Sequence, residues 1–566
     1  MDKKNLIFGL LCLFGAFSLF ISQGKQLQQQ AILRQSQAIA EEEASVNDKT
    51  VPTTVDAATT AVNSEVAHVF QAPVLKPTDE QIFILENDAV RVHFSTIGGG
   101  IRSVELKKFP ATQDSDAPYV FNKENTVPAL TPGWNTDRLL TQSFAVTSQS
   151  EDFIQFRGIF EDGTEIIRGY QLPSSKAKNP YAIQTEVSVT QPKSAEGANS
   201  TKHRSLWVSL GSIPEMSGDK YKEHLNFCAY DGKSMDCKRL ADFEASNGFL
   251  GLGGHEAHPY LEGTGSYAWG ALKDQFFTAI LTPKTPSVGY VSFPIKQGER
   301  SLMQGFLKFE LTQPSTVVSA TYYVGPKDYL LLEHMGQHQD ELMQFGFFGA
   351  FSKLLLMTMH AIHSVIPNWG WTIILLTVII KLLMWPVTQM QLHSSKKMAT
   401  IQEPLQKLRE KYKDNPQKLQ TETMKLFKEN RINPASGCLP AVIQIPIFIG
   451  LYYMLRSASE IRFQPFLWVK DLSMADTVCY FGGFPLNIMP LLMGVTMVMQ
   501  MKVTPMPSAD SAQQKIFMLM PFIFLFFCYN FPAALVLYWT VQNLFTIVQN
   551  KITYRKKPTV LQTQKH

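Results

Sequence analysis

Apolar and polar positions follow three rules along this chain. Between residues 78 and 330 they alternate with a period of two, as in "VRVHF" (90–94), "FIQFRGIF" (153–160), "YAIQTEVSVT" (181–190), "SLWVSLG" (205–211) and "STVVSATYYVG" (315–325). Turn-forming stretches such as "GGG" (98–100), "EDGT" (161–164) and "YDGK" (230–233) separate these runs. Many alternating runs bounded by turns predict a large antiparallel β-sandwich over 78–335. From 345 to 550 the rule becomes continuous apolar runs, at 371–389, 437–455, 486–501, 515–530 and 532–549. Each is long enough for a short membrane-spanning helix whose ends reach interfacial groups. The third rule governs 342–366, an apolar stretch with a polar stripe that includes Gly346, Gly349, Lys353, His360 and Ser364. At about 100° per residue these five share one face, predicting an amphipathic helix in the membrane interface over 340–366.

At the N-terminus two lysines precede the apolar run Leu6–Ile21, and no A-x-A cleavage site follows. This predicts an uncleaved signal-anchor span over 1–22. Residues 23–77 are rich in Gln, Ala, Thr, Glu and Ser, which predicts a flexible tether. The expected fold is therefore a membrane α-helical bundle of six spans, five of them forming a core over 367–550, plus a large extracytoplasmic antiparallel β-domain.

Charge orients this arrangement. The net charge is only +4, but residues 391–431 carry ten Lys/Arg against five Asp/Glu, and the tail from Lys551 carries five Lys/Arg and no acid. With six crossings, Lys3/Lys4, the 391–431 segment, the 502–515 loop and the tail 551–566 fall on one side. The β domain and the 457–484 loop fall on the other. The positive-inside rule makes the first side cytoplasmic, with both termini there. Two amphipathic stretches flank the turn "KDNP" (413–416), so 391–433 is expected to form a helical hairpin in the cytosol. Its basic excess either reflects topology alone or offers a docking surface to an acidic partner such as ribosomal RNA.

Five of the six cysteines fall into two groups. Cys12, Cys438 and Cys528 lie in apolar runs and read as packing residues. Cys228 and Cys237 bracket a DG turn signal, so a hairpin would bring them together as a candidate disulfide or leave them as two free thiols. Catalytic motifs are absent from the chain. His255 and His258 in "GHEAHP" are spaced i, i+3 beside Gly and Pro, unlike the i, i+4 histidines of a zinc-binding helix. "DGKS" (231–234) has Phe227 where a phosphate loop needs glycine. No metal, cofactor or enzymatic activity is expected.

Polar residues inside the apolar runs remain as leads. Thr377 and Lys381 share a helix face, Gln444 is the one amide of its run, and Tyr538, Gln542, Thr546 and Gln549 form a stripe beside Asn543. Interhelical hydrogen bonding is the plain explanation for the amides. Lys381 needs more, because a cation at span centre costs about 2.5–3.5 kcal/mol. Snorkelling would have to cover about 18 Å to His393. A water-filled groove open to the cytoplasm removes most of that cost.

The stretches "NPASGCLPAVIQIPIFIGLYYMLR" (433–456), "LMGVTMVMQMKVTP" (492–505) and "QQKIFMLMPFIFLFF" with "FPAALVLYWTVQNLFTIVQ" (513–549) resemble the YidC/Oxa/Alb membrane protein insertases. In the Gram-negative form the resemblance covers the whole chain, the β domain more loosely through stretches such as "GSYAWGALKDQFFTAILTP" (265–283). It implies a periplasmic β-supersandwich and a hydrophilic groove that carries nascent membrane proteins into the bilayer without nucleotide hydrolysis. It also implies partners: the Sec translocon, and the ribosome and targeting factors at the 391–433 hairpin and basic tail. The family's groove cation falls on Lys381, its threonine on Thr377, its glutamine on Gln444, and its last polar stripe on Gln542 and Asn543. The family generally has Arg where this chain has Lys381, which keeps the charge but loses the planar fork. A second reading treats the spans as a mere anchor for a periplasmic sugar-binding or sugar-modifying sandwich.

Overall fold

The computed structural model describes residues 80–192, 203–215, 222–246, 254–297, 300–413, 415–430, 439–503 and 511–555. The expected signal-anchor (1–22), the tether (23–77) and the tail beyond Arg555 lie outside the described residues. Residues 70–509 and 517–566 form one compact unit; the other contributes only the helical residues 511–516 to the described set.

The alternating segments pair into three antiparallel sheets. The largest has nine strands, in the spatial order Met235–Arg239, Asn226–Tyr230, Trp269–Lys273, Phe277–Pro283, Ser315–Pro326, Ala182–Thr190, Glu165–Gln171, Phe153–Ile159 and Ala145–Gln149. A four-stranded sheet, Ile82–Glu86 to Pro118–Phe121, follows chain order. The five-stranded sheet runs Leu261–Tyr267, Ser287–Gln297, Arg300–Glu310, Ser205–Pro214, Pro132–Gly133. Alternation sets the facing: along Ala182–Thr190 every second side chain is buried. Both smaller sheets pack on the nine-stranded one. Phe94 lies 4.9 Å from Tyr170, and Tyr119 stacks on Phe277 at 4.1 Å. Gly305 faces Phe227, whose ring a β-carbon there would overlap at 2.3 Å, so glycine sets the spacing of that sheet pair. The strands Ser287–Gln297 and Arg300–Glu310 are buried on both faces, because Val291, Phe293 and Phe306 form a second small core under Leu139, Trp207 and Tyr260. Continuous burial of this kind hides the period-two signal.

Cys228 and Cys237 are directly opposite in the hairpin register and are joined as a disulfide. Asp231 shapes the turn, its Oδ1 accepting from the Lys233 and Ser234 amides at 2.7 Å.

Helices dominate the rest. A single turn, α1 (Tyr329–Glu333), leads to α2 (Gly349–Val365). The run at 371–389 becomes α3 (Trp369–Leu383) and α4 (Trp385–Thr400), bent by 58°. The single straight span expected there is thus broken at Met384. Pro386 explains the break: it has no N–H for the Leu382 carbonyl and its ring crowds that carbonyl. The hairpin consists of the end of α4, α5 (Gln402–Lys411) and α6 (Pro416–Glu429). Pro404 acts the same way on Thr400, dividing what the sequence pattern shows as one amphipathic helix. Asn415 caps α6 through the Lys418 amide at 3.0 Å. The remaining helices are α7 (Leu439–Ser457), α8 (Ile488–Val503), α9 (Ser511–Cys528) and α10 (Ala533–Arg555), with a hairpin Thr477–Phe481/Phe484–Asn487 before α8. Among the described residues no single helix is long and apolar enough to cross a bilayer, although the bent α3–α4 pair meets the test jointly.

The polar stripe of α2 meets protein. Lys353 pairs with Asp340 at 2.7 Å, and His360 Nε2 lies 3.3 Å from Glu460 Oε1. Phe347, Phe351, Leu354 and Met357 stay exposed. The Glu460 carboxylate raises the His360 pKa above its usual 6.5 despite burial. Burial and the same carboxylate raise Asp328. Both folded groups therefore hold protons more tightly than unfolded ones: the Asp328 contribution is complete only below pH 3.8 and fades through that group's own raised value, and the His360 stabilisation is complete below pH 6.5 and fades as pH rises through its raised value. Deprotonation also leaves Glu460 facing Asp328 without a compensating cation. The α2 amides should exchange faster at pH 8 than at pH 6, after correction for intrinsic rates. Glu460→Gln should flatten that dependence; a flat wild-type profile would rule the mechanism out.

Candidate functional site

The last helix, α10, is the axis of the bundle and packs against α3, α7 and α8. Tyr538, Gln542 and Thr546 occupy i, i+4 and i+8 on it, so their side chains form a ladder. Gln444 of α7 donates to the Tyr538 hydroxyl at 2.8 Å and to Gln542 Oε1 at 3.2 Å. Lys381 of α3 donates to Thr546 Oγ1 at 3.1 Å. The structure thus brings Lys381, Gln444, Tyr538 and Gln542 together along one face of α10. Among the described residues Lys381 has no carboxylate within 4 Å; its partner is a neutral hydroxyl.

Two expected residues stand apart from this ladder. Thr377 is fully buried, and its hydroxyl donates to the Ile373 carbonyl of its own helix at 2.7 Å. Asn543 is buried and donates to Thr496 Oγ1 of α8 at 3.1 Å, on a different side of α10 from Gln542. A 100° step per residue makes adjacent positions diverge, so neighbours in sequence serve different interfaces. Beyond the expected set, Gln389 of α4 donates to Thr553 Oγ1 at 2.8 Å and continues the polar contact toward the end of α10. The spacing 546→553 keeps to one face of α10 and is the sequence signal for that extension; Lys381 and Gln389 lie on separate helices, so their spacing gives none.

Aromatic packing closes the other end of the ladder. Trp539 stands 4.7 Å from Phe448 and 4.9 Å from Phe524, and Phe531 packs on Tyr452 at 5.8 Å. The segment 459–487 then ties the bundle to the β domain. Arg462 donates to the Pro110 and Ala111 carbonyls at 2.8 and 3.0 Å, and Gln275 donates to the Arg456 carbonyl at 2.9 Å. At the start of α3, Gly370 lies against the Phe466 ring, where a β-carbon would come within 2.0 Å, so only glycine lets the two approach.

A β-sandwich joined to an apolar helical bundle with an internal polar ladder defines a two-part class of protein, one half β and one half helical. Known proteins narrow that class. Residues 83–358 match the family described as the YidC periplasmic domain, and residues 361–560 match the family described as 60Kd inner membrane protein. The membrane protein insertase YidC of Methylobacillus flagellatus is 30% identical over 580 residues, covering 97% of this chain and 96% of the relative. That of Haemophilus influenzae is 29% identical over 526 residues, covering 90% and 92%. A crystal structure of an active YidC insertase with its first transmembrane domain resolved aligns with 85% of this chain and 94% of its own, at 18% identity and a TM-score of 0.35. The chain belongs to the YidC family of membrane protein insertases.

Proposed function

We propose that this protein inserts nascent membrane proteins into the inner membrane along the polar face of α10, with Lys381 as the attracting charge. The observation that carries the reading is the pairing of Lys381 with a hydroxyl alone, on a ladder of neutral hydrogen-bonding groups. A paired lysine would be structural. This one has its charge uncompensated and available to an acidic or polar segment of a substrate. The amides and hydroxyls of Gln444, Tyr538 and Gln542 supply hydrogen bonds to that segment as it leaves water, which lowers the barrier without covalent chemistry.

In this reading the five runs of 367–550 cross the bilayer, α3–α4 as a bent span, and the N-terminal anchor makes six. The helix α2 lies in the interface with its apolar face in lipid. The β domain is periplasmic, and both termini are cytoplasmic. The Sec translocon is assigned to the β-domain side, and the ribosome and targeting factors to the 391–433 hairpin and the basic tail. The sugar-binding alternative accounts for the sandwich alone, whereas the likeness to YidC relatives extends through the helices as well.

Site-specific photo-crosslinking to a stalled nascent chain tests the path. Probes at Gln444 and Gln542 should capture the substrate's transmembrane segment, and a probe at Asn543, turned toward Thr496, should not. Capture from Asn543 alone would place the path on the α8 side and overturn the reading.

A further inference from the structure

At the junction of the β domain, the segment before α2 and the end of α7 lies a cavity of about 650 Å³. Its lining includes five Lys/Arg and three Asp/Glu. Three of the cations are already matched: Arg456 with Glu223, Lys353 with Asp340, and Arg239 with Asp242 outside the lining, each at 2.7 Å, while the third lining acid, Glu341, lies 3.8 Å from His338 Nδ1. Lys273 and Lys327 remain. Both are only 3% exposed. The Lys273 ammonium donates to Gln344 Oε1 at 2.7 Å, a neutral partner. The Lys327 ammonium has no hydrogen-bond or ion-pair partner among the described residues. Asp274, the acid whose field acts on both lysines, spends one oxygen on the Phe276 and Phe277 amides at 2.7 Å and receives the Tyr119 hydroxyl on the other.

Burial lowers the pKa of both amines, Lys273 well below its ordinary value and Lys327 to about 8, so an anion in the cavity is what would hold both in the charged form. The surroundings report the field. Burial, with Arg456, Lys327 and Lys273 nearby, pushes His224 down to about 3, so it stays neutral and accepts from Arg456 at 3.1 Å. The wall opposite is built from Gln344 and Gly346, both at left-handed φ of 51° and 68°. For Gln344 that conformation costs on the order of 1 kcal/mol, and it holds the amide over Lys273.

We propose that this cavity binds a phosphate-bearing anion, the headgroup of an anionic phospholipid. The proposal rests on the topology given above, in which α7 ends and α2 begins at the periplasmic membrane surface. That is the level of lipid phosphates. The two lysines supply the charge-assisted donors for phosphate oxygens, and Arg456, held by Glu223, adds to the positive field. Met343, Phe345 and Tyr453 line the same cavity and suit the glycerol and upper acyl portion.

The test uses the full-length protein purified in detergent, with phosphatidylglycerol, phosphatidylcholine and inorganic phosphate titrated separately. Binding is read by native mass spectrometry and by the thermal midpoint. Phosphatidylglycerol should raise the midpoint and bind about tenfold tighter than phosphatidylcholine, as one charge-assisted contact implies. The K273Q/K327Q variant should lose that preference. Its midpoint without lipid should be no lower than wild type, because it sheds two uncompensated charges. Met343→Trp, which fills the cavity and leaves its charge intact, should also lose binding. Wild-type affinity in both variants, or equal binding of the two lipids, overturns the proposal. Saturation by inorganic phosphate at the same concentration overturns the lipid assignment, and so does displacement of the lipid by a glutamate-rich peptide. Binding is measured without insertion. A protein that binds phosphatidylglycerol but inserts nothing supports the pocket and sinks the insertase reading, while one that inserts but shows no lipid preference sinks only the pocket.

Discussion

Replacing Lys381 with glutamate should reduce insertion of a substrate with an acidic translocated tail by about a hundredfold, since an attraction worth up to ~4 kcal/mol at an effective dielectric near 20 becomes a repulsion that groove water only partly screens. The geometry makes the effect specific. Lys381 contacts Thr546 Oγ1 at 3.1 Å, and a carboxylate there accepts the hydroxyl proton that Thr546 now gives to the Gln542 carbonyl of its own helix, so the packing of α3 on α10 survives. Only the sign of the charge changes. Lys381→Arg should retain insertion, and a substrate with a neutral tail should show little response to either variant. The measurement is protease protection of the translocated tail in reconstituted proteoliposomes. Full-rate insertion of the acidic substrate by Lys381→Ala would remove charge attraction from the mechanism.

Arg462→Ala should release the 459–487 segment from the β domain, at a local cost of about 3 kcal/mol, which corresponds to roughly hundredfold faster amide exchange there. Arg462 is 8% exposed. It donates to two main-chain carbonyls, Pro110 and Ala111, and lies 5.0 Å over the Phe277 ring and 4.1 Å over Phe463. Its removal leaves both carbonyls without this donor and takes a cation from beside buried Asp274. Arg462→Lys should recover little, because a single ammonium does not span the two carbonyls as the fork does. Unchanged exchange at the Phe463 and Leu472 amides, which bond to Asp471 and Gln464, would show that other contacts hold the segment.

The sandwich was the most legible part of the chain. Half-buried strands such as Ala182–Thr190 announce themselves by alternation, since one face must be apolar and the other need not be. Strands covered on both sides, such as Arg300–Glu310, lose that signal. The helical runs were legible in position but not in continuity. Hydropathy registers apolar content, whereas Pro386 and Pro404 act on the carbonyls four residues earlier and divide helices within a single pattern. At the site, the i, i+4 spacing of Tyr538, Gln542 and Thr546 was visible in the sequence. Which partner each side chain takes was not: Thr377 turns to its own backbone, and Asn543 turns to Thr496.

By itself, then, the sequence determined what depends on local chemistry and periodicity. That comprises a β half and an apolar helical half, the hairpin that brings Cys228 opposite Cys237, and a lone cation in an apolar run. The tertiary structure decided what depends on the direction and neighbours of each helix face. It set Lys381 on Thr546 and Gln444 on Tyr538 and Gln542. It also gathered Lys273, Lys327 and Arg456, far apart in the chain, around one cavity. The reason is physical: periodicity fixes which residues share a face, but only the packing of one element on another fixes what that face meets.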